Sequence, residues 1–441
     1  MALVSNKNIK VLIALSGGVD SSVAAALLVK AGYDVTAAYM VNYVNTDTRM
    51  MRIPGYADAA ANACWLPDYR DAVRVAAKLH IPILKLDFTK EYKAKVLDYM
   101  FAEYKAGRTP NPDVLCNKYI KFGVWLEHAR KLGFDYLATG HYARLGREIR
   151  NSHFLTNGKQ FEIRNNIKYP ISNIKLLCAK DDNKDQTYFL HQLSQDQLQH
   201  VMFPIGGYTK PEVRKLAKKF NLPTAEKEES MGICFIGEVP MKEFLETKIK
   251  HKPGRIIFSD GTVVGTHEGL AFYTIGQRHF GVARPLPALS FAKERVRDSS
   301  SPPQTEGPPR RVRGREERSR PVDSKPLYVF AKHSKTNELV VGYENDPLLY
   351  SKEILVTDVN WIRQIAKFPL KCEVRLRHRQ PLQKAIVGLQ TTDYRLRPRR
   401  AVDRGPSTVV ISFKTPQRAV TPGQFAVFYK KGECLGGGVI I

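Results

Sequence analysis

The stretch ALSGGVDSS, Ala14 to Ser22, lies between the apolar run IKVLIAL and the alanine-rich run SSVAAALLVKAGY. A β-rich run, a glycine turn and a helix-like run, in that order, make a strand–loop–helix unit able to cradle phosphate. Gly17 and Gly18 let the backbone turn tightly and approach an anion, while amides at the next helix N-terminus point towards it. Ser16, Ser21 and Ser22 add hydroxyl donors. The loop lacks the lysine that ends a Walker-type phosphate loop. Asp20 suits such a cradle if a magnesium ion stands between its carboxylate and the phosphates, so Asp20 is a candidate Mg2+ ligand.

Working outward, the alternation continues. DVTAAYM reads as a strand, YRDAVRVAAKLHIP as a helix stopped at Pro82, and ILKLDF as a strand. EYKAKVLDYMFAEYKAG and NKYIKFGVWLEHARKLG read as helices, and DYLATGH as a further strand. Such alternation with short connections predicts an α/β fold with a parallel sheet covered on both faces, and ligands beyond the carboxyl ends of its strands. The glycine loop and ATGH both fall at such ends. TKPEVRKLAKKFNLP opens with Thr209 and Glu212 at capping-box spacing. From about residue 255 the runs become short, β-branched and punctuated by glycine, which predicts a small antiparallel barrel. Residues 297–325 are rich in proline, serine and arginine, and predict a disordered insertion.

The 441 residues carry a formal net charge of +26, with 43% hydrophobic and 25% charged residues. Ordinary globular composition with that much positive charge points to a polyanionic partner. Six cysteines and no CxxC pair exclude a disulfide scaffold and argue against a zinc ribbon. No run of about 18 apolar residues is present, so no membrane partner is expected. The start, MALVSNKNIK, runs almost directly into a strand and is short for a targeting peptide.

Two thiols stand in distinctive settings. In GRTPNPDVLCNKYIKFG, two prolines fix a loop before a helix, and Cys116 lies near that helix's beginning, where its thiol pKa would fall; Lys118 and Lys121 would lower it further. Asp113 is placed to act as a base or to orient a substrate. In KEESMGICFIGE, Cys234 sits between Gly232 and Gly237, either packed in a strand or on a loop able to meet Cys116.

The SGG-x-DS loop fits ATP pyrophosphatases, which grip the β,γ-phosphates while the α-phosphorus is attacked. LSGGVDSS, GRTPNPDVLCNKYIKFG, ATGHYAR, KDQTYFL, MGICFIGE, YTIGQRH and GQFAVFY together resemble the tRNA-specific 2-thiouridylases, in that family's order and over nearly the whole chain. The resemblance implies a PP-loop ATP pyrophosphatase domain (1–204), a small central domain (205–270) and a C-terminal β-barrel that binds tRNA (271–441). It implies replacement of the wobble uridine's 2-oxygen by sulfur, with release of AMP and diphosphate. Leu15, Ser16, Gly17, Gly18, Val19, Asp20, Ser21, Ser22, Met40 and Gly140 would hold ATP. Cys234 would carry a persulfide delivered by a sulfur-carrier or cysteine desulfurase relay protein. Cys116 would be the nucleophile, attacking the activated carbon or resolving the persulfide, and the pair would end as a disulfide. Asn111, Pro112 and Asp113 match the segment that meets the target base. Lys184, Asp185 and Gln186, and Arg377 and His378, match tRNA contacts.

The chain departs from the family after Met40, reading Val41, Asn42, Tyr43 where Lys-Asn-Trp is usual. An amidating or argininosuccinate-type ATP pyrophosphatase remains an alternative, as does a tRNA-binding homologue without turnover. Basicity and the insertion suggest a mitochondrial protein, with bacterial cytoplasm the alternative. Oligomeric state is not legible in the sequence.

Overall fold

In the computed structural model, the described residues are 6, 8–44, 65–147, 173–228, 241–278, 326–365, 367–390 and 406–441. Cys234, the segment 297–325 and residues 395–405 of the second basic loop lie outside them. The first strand, β1 (Lys10–Ala14), is the centre of a five-stranded parallel sheet. Its companions are β2 (Asp34–Val41), β3 (Ile83–Asp87), β4 (Tyr136–Ala138) and a two-residue strand, Val201–Met202, in the order β3-β2-β1-β4-Val201–Met202. Val11, Leu12 and Ile13 are all buried, as a strand covered on both faces requires.

Helix α1 (Val19–Lys30) follows the glycine loop and buries eight of its residues, five of them valines or small alanines that allow close approach to the sheet. Gly32, at φ +79, ends it. Helix α2 (Leu66–Leu79) ends at His80 in the left-handed region, just before Pro82. Residues 89–105 form one continuous helical stretch with a π-helical turn at Lys93–Leu97. Residues 112–131 form another, with π-helical hydrogen bonding over Cys116–Trp125 and a kink at Gly123. Helix Lys210–Lys219 packs on α1 through Val213 and Ala217, in the same core as Val19 and Val23.

The helix Lys210–Lys219 thus completes the hydrophobic core of the parallel-sheet domain. The strands Gly254–Ile257 and Val263–His267 share a four-stranded sheet with Leu327–His333 and Glu338–Tyr343. This sheet thus joins strands from both sides of residue 270.

The barrel is closed. Strands Tyr350–Trp361, Val409–Arg418, Gln383–Leu389, Leu370–Arg375, Phe425–Lys430 and Glu433–Ile440 pair antiparallel in that order, and the last pairs back to the first. Val374, Val387, Ile411 and Phe428 fill its interior. The strand pair Arg144–Arg147 and Ile174–Leu177, from the first domain, extends the barrel wall by pairing with Glu433 and Cys434. Asn360 donates to the carbonyls of His191 and Leu193 at 2.8 and 3.1 Å, and Gln192 donates to Gly437 at 3.0 Å. First domain and barrel are thus stitched together by backbone pairing and buried amides. Among the described residues, no helix is long and apolar enough to cross a membrane.

Candidate active site

The glycine loop leaves β1 at its carboxyl end, with Leu15 buried and Met40 buried at the end of the adjacent β2. Gly17 has φ +77, and a Cβ there would stand 2.2 Å from the Asp68 carbonyl oxygen, so only glycine passes under the start of α2. Gly18 is open, since a Cβ there would meet nothing closer than Ser16 Oγ at 3.5 Å. Ser21 and Ser22 donate to the Gly18 carbonyl at 3.1 and 2.7 Å, and the Ser16 amide donates to Ser21 Oγ at 3.2 Å. A preformed turn with an open glycine at a helix N-terminus fits a phosphate group.

Gly140, at the end of β4, presses on the same loop. A Cβ there would lie 2.7 Å from the Ser21 nitrogen and 2.9 Å from Asp20 C, both backbone atoms with no freedom to yield. Gly140→Ala is accordingly expected to lower stability by about 2 kcal/mol and to displace the loop. Urea unfolding together with ATP binding checks this, and an unchanged midpoint would contradict the packing described.

Asp20 has a different setting from the one the sequence suggests. The Lys210 ammonium lies 2.8 Å from each of its carboxylate oxygens, and the Tyr142 hydroxyl donates to one of them at 2.8 Å. A lone carboxylate already engaged on both oxygens by a lysine does not fit a protein-held magnesium ion. Among the described residues, the three-donor group close enough to share an ion is Glu246, His251 and Glu268, and Lys242 forms ion pairs with both of its glutamates. Asp20 is therefore read as one half of an ion pair. Lys210 supplies from another helix the cation that the loop itself lacks; periodicity gives no sign of this.

Residues 112–131 carry Cys116 from the sheet edge towards the barrel. Asn111 caps the helix, accepting from the Val114 amide at 3.3 Å, and Asp113 lies in the first turn. Cys116 is one turn further in and fully buried. Lys118, expected beside the thiol, bonds Gln192 at 3.0 Å. Phe122 packs against His141, whose Nδ1 lies 2.7 Å from Thr139 Oγ1 and whose pKa burial holds well below 6.5. The other described thiols, half-buried Cys178 and buried Cys372 and Cys434, are held protonated: desolvation raises Cys178 to about 11, Cys372 to about 12 and Cys434 well above the ordinary thiol value.

The remaining motifs converge next to Cys116. Asn117 donates to the Phe189 carbonyl at 3.3 Å, and the His378 ring packs at a tilt against Phe189 with ring centroids 4.5 Å apart. Burial, with Arg379 adding to it, lowers the His378 pKa to about 4, so this imidazole is neutral at pH 7. Arg377 donates to the Ala419 carbonyl. Gln424 contacts Asn111 at 3.5 Å and donates to the carbonyls of Thr109 and Pro110, a brace to which its sequence gave no clue. Gln186 accepts from the Tyr142 amide at 2.8 Å, which ties the KDQ turn to the residue that touches Asp20. Asp185 is 1% exposed, bonded to Thr187 and paired with Arg375 at 2.9 Å. Lys184 is half-buried in the same turn.

Lys227 extends this edge. Its ammonium bonds Asp68 and Asp71 at the start of α2 at 2.8 and 2.6 Å. Past residues 229–240, Phe244 packs on Tyr43 and Phe101. Both flanks of the segment containing Cys234 therefore dock on the first domain.

Fold and loop together define an α/β protein of the phosphate-loop class with an appended β-barrel. The model of the tRNA methyl transferase HUP domain matches residues 9–238, that of the tRNA methyl transferase PRC-barrel domain 242–284, and that of the aminomethyltransferase beta-barrel domain 351–440. The chain is 40% identical over 440 residues to the tRNA-specific 2-thiouridylase MnmA of Oceanobacillus iheyensis, covering 99% of this chain and 96% of that protein. It is 40% identical to the MnmA of Listeria monocytogenes over 440 residues, covering 99% and 95%. Among solved structures, a 4-thiouridine synthetase–RNA complex with bound ATP aligns over 55% of this chain and 51% of that one, at 16% identity and a TM-score of 0.30, too low to inform function. The chain belongs to the tRNA-specific 2-thiouridylase family. These relatives are bacterial, and the mitochondrial expectation finds no support in them.

Proposed function

We propose that the protein is an ATP-dependent tRNA sulfurtransferase that replaces the 2-oxygen of the wobble uridine with sulfur. The observation that carries this reading is the bonded path from the glycine loop to the cysteine helix: Asp20 accepts from Tyr142, the Tyr142 amide donates to Gln186 in the KDQ turn, and Phe189, three residues on, accepts from Asn117 beside Cys116. ATP, when bound at Leu15–Ser22 with Met40 and Gly140 beside it, supplies the adenylyl group that turns the uridine oxygen into a leaving group. Lys210 and the loop amides hold the phosphates, and Asp20 with Tyr142 fixes Lys210. Magnesium is read as travelling with the nucleotide.

Cys234 is proposed to carry the persulfide, loaded by a sulfur-carrier or cysteine desulfurase relay protein. Its outer sulfur bonds to C2 of the uridine as AMP leaves with the oxygen. Cys116 then attacks the inner sulfur, the S–S bond breaks towards the uridine, and a Cys116–Cys234 disulfide remains for a two-electron reductant to open. In the alternative order, Cys116 first resolves the persulfide and the released sulfide attacks C2. Asn111, Pro112 and Asp113 are read as meeting the target base, and Lys184, Arg377 and His378 as meeting tRNA. Asp185 and Gln186, held by Arg375 and Tyr142, position that surface from beneath. A bacterial-type cytoplasmic location fits the relatives.

The matched family models carry methyl-transfer names. Transfer of a methyl group from a sulfonium donor needs neither a phosphate loop nor a cysteine at the substrate face, so the site favours thiolation. The test is release of AMP and diphosphate from ATP, with and without unmodified tRNA. Release that requires tRNA supports the reading. ATP cleavage indifferent to tRNA would point to an amidating ATP pyrophosphatase, and tRNA binding without cleavage to a non-catalytic binder.

A further inference from the structure

A cavity of about 190 Å³ lies where the segment before Cys116, the central sheet and the barrel meet, with Arg108, Thr109, Lys332, Ser334 and Thr421 among its walls. It is separate from the glycine loop. Lys332 Nζ and Thr109 Oγ1 are both shielded from solvent, and neither has a hydrogen-bond partner among the described residues. A buried ammonium and a buried hydroxyl without acceptors are costly to maintain, and an anion entering the cavity would satisfy both at once. Desolvation lowers the Lys332 pKa to about 8, so the amine is still mostly protonated at pH 7.

The remaining polar groups narrow the choice of ligand. The nearby carboxylate of Glu103 is occupied by Arg108, and Thr421 Oγ1 donates to the Ala419 carbonyl. Ser334 is exposed at the mouth, where a Cβ on Gly107 would come within 3.2 Å of its hydroxyl. Residues 106–109 and Pro422 complete the wall, with the Thr109 amide bonded to the Pro422 carbonyl at 3.0 Å and its carbonyl held by Gln424. Arg377 lies close by, with Nη2 3.6 Å from where a Cβ on Gly276 would be. At about 30 Å³ per water, the space accommodates a phosphate group and several waters.

We infer that this cavity is an oxyanion subsite that takes a backbone phosphodiester of the RNA substrate, with Lys332 and Thr109 as its donors. The inference rests on the reading of tRNA as substrate. Thr109 in its wall stands two residues before Asn111, so a captured phosphate would sit near the segment read as meeting the target base and would fix the RNA strand without reading sequence.

The test is fluorescence anisotropy of labelled tRNA with the full-length protein across a range of salt concentrations. Lys332→Ala should weaken binding about five- to twentyfold and reduce the log-log salt slope by about one, while Lys332→Arg keeps most of the affinity. Ser334→Glu, at an exposed position, should weaken binding similarly by placing a carboxylate at the mouth, and it covers the case in which Lys332→Ala fails to fold. Unchanged affinity and slope in a folded Lys332→Ala or in Ser334→Glu would overturn the inference. So would calorimetry in which pyrophosphate binding depends on Lys332 while tRNA affinity does not, since the subsite would then serve a free anion. Thiolation is scored separately. Wild-type protein that binds tRNA with this Lys332 dependence but makes no thiouridine would sink the sulfurtransferase reading and leave the subsite standing.

Discussion

Cys116→Ser is expected to lower sulfur incorporation by about three orders of magnitude or more while tRNA-dependent AMP release persists. Serine matches the thiol in size, so the fully buried site should still pack. What is lost is a sulfur nucleophile able to attack carbon or another sulfur. No other described thiol is placed to substitute. Desolvation holds Cys178 and Cys372 protonated, at about 11 and about 12, and raises Cys434 well above the ordinary thiol value. Single-turnover thiolation measured beside AMP release separates the two halves of the reaction. Thiolation above about a tenth of wild type would remove Cys116 from the chemistry.

The second large effect belongs to Lys210. Lys210→Met should cut kcat/KM for ATP by about a hundredfold to a thousandfold, comparable with removal of one preorganised electrostatic donor. The variant removes a cation that is 12% exposed and leaves the Asp20 carboxylate facing incoming phosphates. Lys210→Arg should recover part of the loss, because the charge is retained while the fit to both oxygens changes. tRNA affinity should stay near wild type in both, since Lys210 lies at the loop and not at the barrel face. Equal losses in ATP turnover and tRNA affinity would mean that Lys210 only supports the fold.

Local signals made much of this molecule legible in sequence. The glycine loop, the strand–helix alternation and the antiparallel run beyond residue 350 each follow from contacts among near neighbours in the chain. Long-range contacts escaped. Lys210 reaches Asp20 across 190 residues, and only the packing of its helix on α1 brings the two together. Asp185 sits in the polar run AKDDNKDQT and looks solvated, yet Arg375 arrives from a barrel strand to bury it. The pairing within the four-stranded sheet escaped for the same reason. The strands Gly254–Ile257 and Glu338–Tyr343 pair in parallel although about eighty residues, the basic insertion among them, separate them, and strand pairing over that range leaves no local signature.

The central claim is exchange of one oxygen for one sulfur on the wobble uridine. It is tested most directly by mass spectrometry of nucleosides from unmodified tRNA after incubation with the protein, ATP, magnesium and a persulfide source. Wild type should yield 2-thiouridine at the wobble position, and Cys116→Ala and Cys234→Ala should yield none. AMP release with no sulfur gained in wild type, under a persulfide supply that loads Cys234, would contradict the account.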